Sequence, residues 1–188
     1  MKIIAIDVGN SETTIGVGNS QGWQGYRFTT RKTVTSDELL MMFKTIIDDP
    51  LIKEGLIEGA IICSVVPEIT NSVSEATSRF ISKDVLIVGP GVKTGLKVNI
   101  DNPKELGPDR IANSIGGYSK VSSEVIVVDL GTATTFDIVN TKKEYLGGSI
   151  APGIKISLDA LTSKTSSLKS VELETPKNVV GKNTYEAI

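Results

Sequence analysis

Ile3-Ile4-Ala5-Ile6-Asp7-Val8-Gly9, near the start of the chain, returns as Val125-Ile126-Val127-Val128-Asp129-Leu130-Gly131. Each copy is an apolar, largely β-branched run that delivers an aspartate into a turn of small polar residues. Each then reaches a Thr-Thr pair, Thr13-Thr14 or Thr134-Thr135, and a second apolar run ending at Asn19 or Asn140. Such runs joined by Gly-containing turns read as hairpins, so both copies predict strand, carboxylate turn, strand. Repetition of so long a unit predicts an α/β fold of two similar lobes facing each other across a cleft, residues 1–124 forming the first and residues 125–188 the second. The second unit has roughly half the residues of the first, so its lobe is expected to be unfinished and its sheet poorly covered at Val127, Ile138 and Ile150.

Between the copies the pattern alternates strand and helix. Gly22 to Thr30 is a candidate third strand. Thr35-Ser36-Asp37-Glu38 has capping-box spacing ahead of Leu39, Leu40, Phe43, Ile46 and Ile47, which recur on one helical face. Ile57 to Val66 is apolar throughout, as a central strand must be, and Pro67 stops it before a helix near Ile69 to Ile81. Val85 to Val88 repeats the strand pattern, Gly89 to Gly95 reads as a loop, and Leu106-Gly107-Pro108-Asp109-Arg110 leads into a helix with Ile111, Ile115 and Tyr118 on one side. Ser163 to Ser170 is a polar stretch expected to form a mobile loop.

Composition removes several classes of function. The 188 residues carry 20 basic and 22 acidic side chains, a formal charge of −2, so no overall field gathers nucleic acid or anionic membrane. Any phosphate site must be local. Histidine is absent, which excludes Ser-His-Asp and Cys-His nucleophiles, histidine general bases and histidine-ligated zinc. Acid-base work falls to carboxylates, lysine or tyrosine. Cys63 is the single cysteine and sits in an apolar run, so it reads as a core residue and no intrachain disulfide forms. The N-terminus reaches Asp7 too soon for a signal peptide, and no apolar run approaches the roughly 20 residues of a membrane helix. A reducing cytoplasm fits.

A buried strand that ends in an aspartate within a Gly/Thr/Asn-rich turn suits phosphate and metal: glycine lets the backbone approach, hydroxyls and N–H groups face the anion, and the carboxylate holds a cation. A single Asp-x-Gly commonly just closes a tight turn; two at matching places can grip a polyphosphate between them. On these residues the chain resembles the superfamily of acetate and sugar kinases, chaperone ATPases and actin. Asp7-Val8-Gly9-Asn10-Ser11 and Asp129-Leu130-Gly131-Thr132-Ala133-Thr134-Thr135 are similar to its two phosphate motifs. Asn102 to Asn113, with Gly107-Pro108-Asp109-Arg110 at its centre, is similar to the substrate motif of type III pantothenate kinases; Gly147 to Gly153 and Gly181-Lys182-Asn183-Thr184 match two further family segments in order.

The resemblance implies a duplicated ribonuclease H-like, actin-like ATPase fold and a homodimer that transfers the γ-phosphoryl of ATP to pantothenate, the first step toward coenzyme A. It makes Asp109 the general base for the pantothenate hydroxyl, Arg110 the ligand of its carboxylate, and Gly107 and Thr184 further substrate contacts. Asp7 would orient the Mg²⁺-phosphate group, with Val8, Gly9, Asn10, Ser11, Thr14, Gly131, Thr132 and Thr134 around the nucleotide, and Asp129 would hold a monovalent cation, K⁺ or NH₄⁺. Other readings stand beside these. Asp109 equally suits a helix N-terminus, and Asn10, Thr132 and Thr134 equally suit plain turn polarity. Gly148, Pro152 and Gly153 equally shape a loop. Another kinase of the superfamily, or a nucleotide-binding accessory protein without catalysis, would keep the same turns. Family members continue past the Gly-Lys-Asn-Thr segment, so the resemblance, like the repeat, predicts a chain lacking its C-terminal end.

Overall fold

The computed structural model describes residues 2–47, 57–89, 91–166, 168 and 172–188. Its first sheet contains β1 (Lys2–Val8), β2 (Glu12–Asn19), β3 (Gly22–Thr29), β4 (Ile57–Ser64) and β5 (Val85–Ile87), in the order β3-β2-β1-β4-β5. β1, β2 and β3 form an antiparallel meander, and β4 and β5 add in parallel. The unbroken apolar run at β4 therefore lies between two strands, as its sequence demands. The second sheet has the order β6-β9-β8-β7, from β6 (Lys97–Val98), β7 (Val125–Leu130), β8 (Ala133–Val139) and β9 (Glu144–Pro152). β7, β8 and β9 repeat the antiparallel meander of β1 to β3, and β6 lies parallel to β9.

Helices cover the first sheet. α1 (Ser36–Ile47) begins at the expected capping box: the Thr35 amide donates to Glu38 Oε2 at 2.9 Å and the Glu38 amide to Thr35 Oγ1 at 3.3 Å. α2 (Pro67–Ile81) takes Pro67 as its first residue and ends at Ser82, which adopts a left-handed conformation. Leu39, Phe43 and Ile46 of α1 and Ile69 and Val73 of α2 join Ile4, Ile6, Val8, Ile15, Val17 and Ile62 in the larger core.

A smaller core forms where α3 (Pro108–Val121) packs on β7 and β8, with Leu96, Leu106, Val139 and Tyr145 buried and Ile111, Ile115 and Tyr118 against them. α3 also touches β4, so it stands between the two sheets. The second sheet thus draws on residues ahead of Glu124. Its other side, with Ile126, Val128, Leu130, Phe136 and Ile138, is exposed. Ile138 is bare there, and Ile150, opposite Thr135 on the side that carries Asp129, is bare as well, as the repeat predicts; Val127, also on the side of Asp129, is instead packed toward Gly117 of α3.

Two elements differ from the sequence reading. Of Gly148, Pro152 and Gly153, which equally suited a loop, the first two lie in β9, and α4 (Ile154–Lys164) follows at once from Gly153. Of the polar stretch from Ser163 to Ser170, the first two residues belong to α4, while residues 167, 169 and 170 lie outside the described residues, as does residue 90 of the Gly89 to Gly95 loop. A single turn, α5 (Thr184–Ala187), is capped by Asn183. Among the described residues no helix is long and apolar enough to cross a membrane.

Candidate active site

The two halves of the repeat match down to the hydrogen bond that closes each turn. Asp7 sits opposite Thr14 and Asp129 opposite Thr135, each at the end of its strand. In the first turn the Gly9 amide donates to the Glu12 carbonyl at 3.0 Å; in the second, one residue shorter, the Gly131 amide donates to the Ala133 carbonyl at 2.9 Å. The turns meet: the hydroxyls of Ser11 and Thr132 are 2.8 Å apart. Thr30 braces the first turn by donating from its hydroxyl to the Gly9 carbonyl (2.7 Å) and from its amide to the Ser11 carbonyl (2.9 Å). Gly153 braces the second, its amide donating to the Thr132 carbonyl at 3.0 Å; a Cβ there would collide with the carbonyls of Gly131 and Thr132.

Strand alternation sends Asp7 to the side of β1 shared with Ile3 and Ala5, and Asp129 to the matching side of β7 shared with Val125 and Val127. Asp109, in the first turn of α3, completes the group. Asp7 is open to the cleft, yet the protein packed round it raises its pKa above the ordinary 3.8, and the nearby charges of Asp109 and Asp129 raise it further. The Cys63 thiol beside it opposes that rise; burial, then Asp7 and Asp109, push the thiol itself up to about 12, which leaves it unreactive at neutral pH. None of the three aspartates forms an ion pair among the described residues. Nor does any cluster of three Cys, Asp or Glu side chains there come close enough to hold a bare metal ion. Mutually repelling carboxylates suit a cation carried in on phosphate.

α3 reaches both turns and the second core through successive side chains. Asn113 Nδ2 donates to Asp129 Oδ2 at 2.8 Å, and Arg110 pairs with Asp137 of β8 through Nε (2.8 Å) and Nη2 (2.7 Å), both to Oδ1. The helix starts at Gly107, where a Cβ would collide with the Asp109 carboxylate. The remaining expected residues divide by position. Gly9, Asn10, Ser11, Gly131 and Thr132 line the paired turns, and Thr14 and Thr134 flank them on β2 and β8. Val8 is fully buried in the larger core, so it offers a ligand only backbone. Thr184 is the exposed first residue of α5, and among the described residues no hydrogen bond ties it to α3. Asp137, Asn113 and Thr30 carry contacts that the sequence reading did not single out. For Asp137 the signal was present: alternation along Thr135-Phe136-Asp137-Ile138-Val139 puts a carboxylate on the buried side.

Strand order β3-β2-β1-β4-β5, an antiparallel meander followed by parallel strands, with the meander repeated in a second sheet and a carboxylate turn in each, defines the ribonuclease H-like fold of actin-like ATPases. A family model for type III pantothenate kinase matches residues 3–188, and the chain belongs to that family. Type III pantothenate kinases of Exiguobacterium sp. and Syntrophotalea carbinolica are 40% and 41% identical to it over 187 residues, which is 99% of this chain and 74% and 73% of theirs. The crystal structure of a protein from Campylobacter jejuni, described as a Baf family transcriptional activator, superposes with a TM-score of 0.54 at 18% identity, covering 98% of this chain and 70% of that one. At that identity the likeness speaks for the fold alone.

Proposed function

We propose that this protein transfers the γ-phosphoryl group of ATP to the hydroxyl of pantothenate. The observation that carries the reading is the pairing of two phosphate-type turns through Ser11 and Thr132, with Asp109 of α3 and Asp129 both close enough to act on Asp7. Amides and hydroxyls of Gly9 to Ser11 and Gly131 to Thr132 would bind the phosphate chain from both sides, so that positioning supplies much of the rate. Asp7 would orient the Mg²⁺-phosphate group, the metal supplying neutralisation of charge on the transferred group when bound. Asp109 accepts the proton of the substrate hydroxyl as the new P–O bond forms, and the guanidinium of Arg110 binds the pantothenate carboxylate. Asp129, oriented by Asn113, would tether K⁺ or NH₄⁺ beside the phosphates.

Thr184 as a substrate contact, the division into lobes of residues 1–124 and 125–188, a homodimer and a cytoplasmic setting complete the proposal. The lone thiol of Cys63 supports a reducing compartment, and the bare side of the second sheet offers apolar surface for a second copy to bury.

The test is coupled-assay turnover of pantothenate with ATP, comparing wild type with Asp109→Asn. The expected result is a fall in kcat of roughly 10²–10⁴-fold with pantothenate affinity nearly unchanged, because the base acts in the chemical step. Equal loss of affinity would assign Asp109 to positioning instead, and nucleotide binding without turnover in the wild type would favour an accessory role. Rates that are equal in sodium, in potassium and without added monovalent salt would remove the cation from Asp129.

A further inference from the structure

Asp137 is fully buried, and among the described residues its one charged partner is the Arg110 guanidinium. Its Oδ1 takes Nε and Nη2 of Arg110 and also accepts from the Tyr145 hydroxyl at 2.8 Å; Oδ2 accepts from Thr135 Oγ1 at 3.3 Å. The Tyr145 ring lies beneath Arg110, with Cζ 5.8 Å from the ring centroid. Gly148 of β9 closes the third side, since a Cβ there would come within 2.7 Å of Nη2. A carboxylate, a ring and a bare stretch of backbone therefore hold Arg110 in one pose, with 16% of its side chain still exposed.

A buried ion pair is a poor device for stability alone, because removing both charges from water costs about as much as their attraction returns. It is a good device for orientation. Nε and Nη2 form one edge of the guanidinium, and that edge is turned to Asp137: Nε donates to Oδ1, while Nη2, buried and without an aligned acceptor, is held to the same oxygen by charge; Nη1, on the other edge, makes no hydrogen bond among the described residues. A guanidinium fixed in this way gives up little freedom when a second carboxylate docks on its open edge.

We propose that Asp137 is a positioning residue that holds one edge of Arg110 so that the other selects the carboxylate of the substrate. This rests on pantothenate being the phosphoryl acceptor. It assigns to β8 and β9 a part in acceptor specificity that is separate from the phosphate turns.

The test compares kcat/KM for pantothenate with that for its alcohol analogue, in which –CH₂OH replaces the carboxylate, in wild type and in Asp137→Asn. The expected result is a KM for pantothenate higher by roughly ten- to a hundredfold, a KM for ATP within about twofold of wild type, and the alcohol almost unaffected. The preference for the carboxylate then collapses. Tyr145→Phe, which keeps the ion pair but removes one donor to Asp137, should erode the preference in the same direction by a smaller factor. If Asp137→Asn does not fold, Asp137→Glu answers instead, because the longer side chain keeps the charge and moves the guanidinium. Parallel loss on both acceptors in a folded variant, or an unchanged preference, overturns the proposal by reducing Asp137 to a structural role. A wild-type protein that turns over neither acceptor overturns the activity itself, which is a different result from the first two.

Discussion

Ile4, Ile6 and Val8 of β1 are 4%, 2% and 0% exposed, whereas Ile126, Val128 and Leu130, at the same places of the repeat in β7, are 62%, 48% and 69% exposed. The two strands have the same pattern and the same aspartate. What differs is the cover: α1 and α2 lie on the first sheet, and among the described residues nothing comparable lies on that side of the second. The opposite sides of both strands, which carry Asp7 and Asp129, face the cleft beside α3. One sequence motif therefore serves two ends. Its alternation aims a carboxylate into the site in both copies, while its apolar residues build a large core in only one.

The largest effect should come from the position that both copies share. Asp7→Asn is expected to lower turnover by about 10²-fold or more, as removal of a group that stabilises transferring charge does. It should also raise the melting temperature at pH 7. The folded-state pKa of Asp7 is raised, so the protonated form favours folding below the ordinary 3.8 and that contribution is lost as pH rises through the raised value. The amide escapes this loss at neutral pH, and the gain should shrink toward zero below pH 3.8. A variant less stable than wild type at pH 7 would mean that the carboxylates do not strain the site.

Core substitutions test the contrast itself. Ile6→Ala should cost about 2–5 kcal/mol in chemical denaturation, and Val128→Ala, its counterpart, should stay within about 0.5 kcal/mol. Equal losses would mean that the side of the second sheet carrying Val128 is covered in solution. A smaller step loosens the cover of the first sheet: Thr35→Ala removes the α1 cap and should cost about 1 kcal/mol. Glu38, held below its ordinary 4.5 chiefly by the Thr35 amide, supports that cap above pH 4.5, and the support fades as pH falls through the lowered value. The smallest change in stability belongs to Ile150→Lys, which should leave the denaturation midpoint in place while reducing binding of a hydrophobic dye.

Much of this architecture was legible in the sequence. β-Branched runs marked β1, β4 and β7, Thr35 and Glu38 marked the start of α1, and the doubled Asp-x-Gly located both turns. β9 escaped because Gly147 and Gly148 erase the strand signal, although Gly148 is there because a Cβ would collide with the Phe136 carbonyl of β8 and then with Arg110, rather than to break the strand. β6, two residues long, has no pattern to detect. The site was legible in its aspartates and not in their supports. Asn113 was quoted within a motif without a partner, and Asp137 acquires its meaning only when β8, β9 and α3 come together. Parity decided the rest: Val127 shares its side of β7 with Asp129, which is why it packs toward α3 while its neighbours Ile126 and Val128 stay bare.

The antiparallel meander of β7 to β9 also sets an order of assembly. Its strands are joined through turns at residues 131–132 and 140–143, so its pairing needs only short loop closures, whereas β1 cannot find β4 until the chain from residue 9 to residue 56 has turned back on itself. Local contacts form sooner than distant ones. During refolding, amide protection should therefore rise in β8 before β4, and the contact between Ser11 and Thr132 should close last. The cleft would be finished from its C-terminal wall inward, with the half of the repeat that buries least leading the half that buries most.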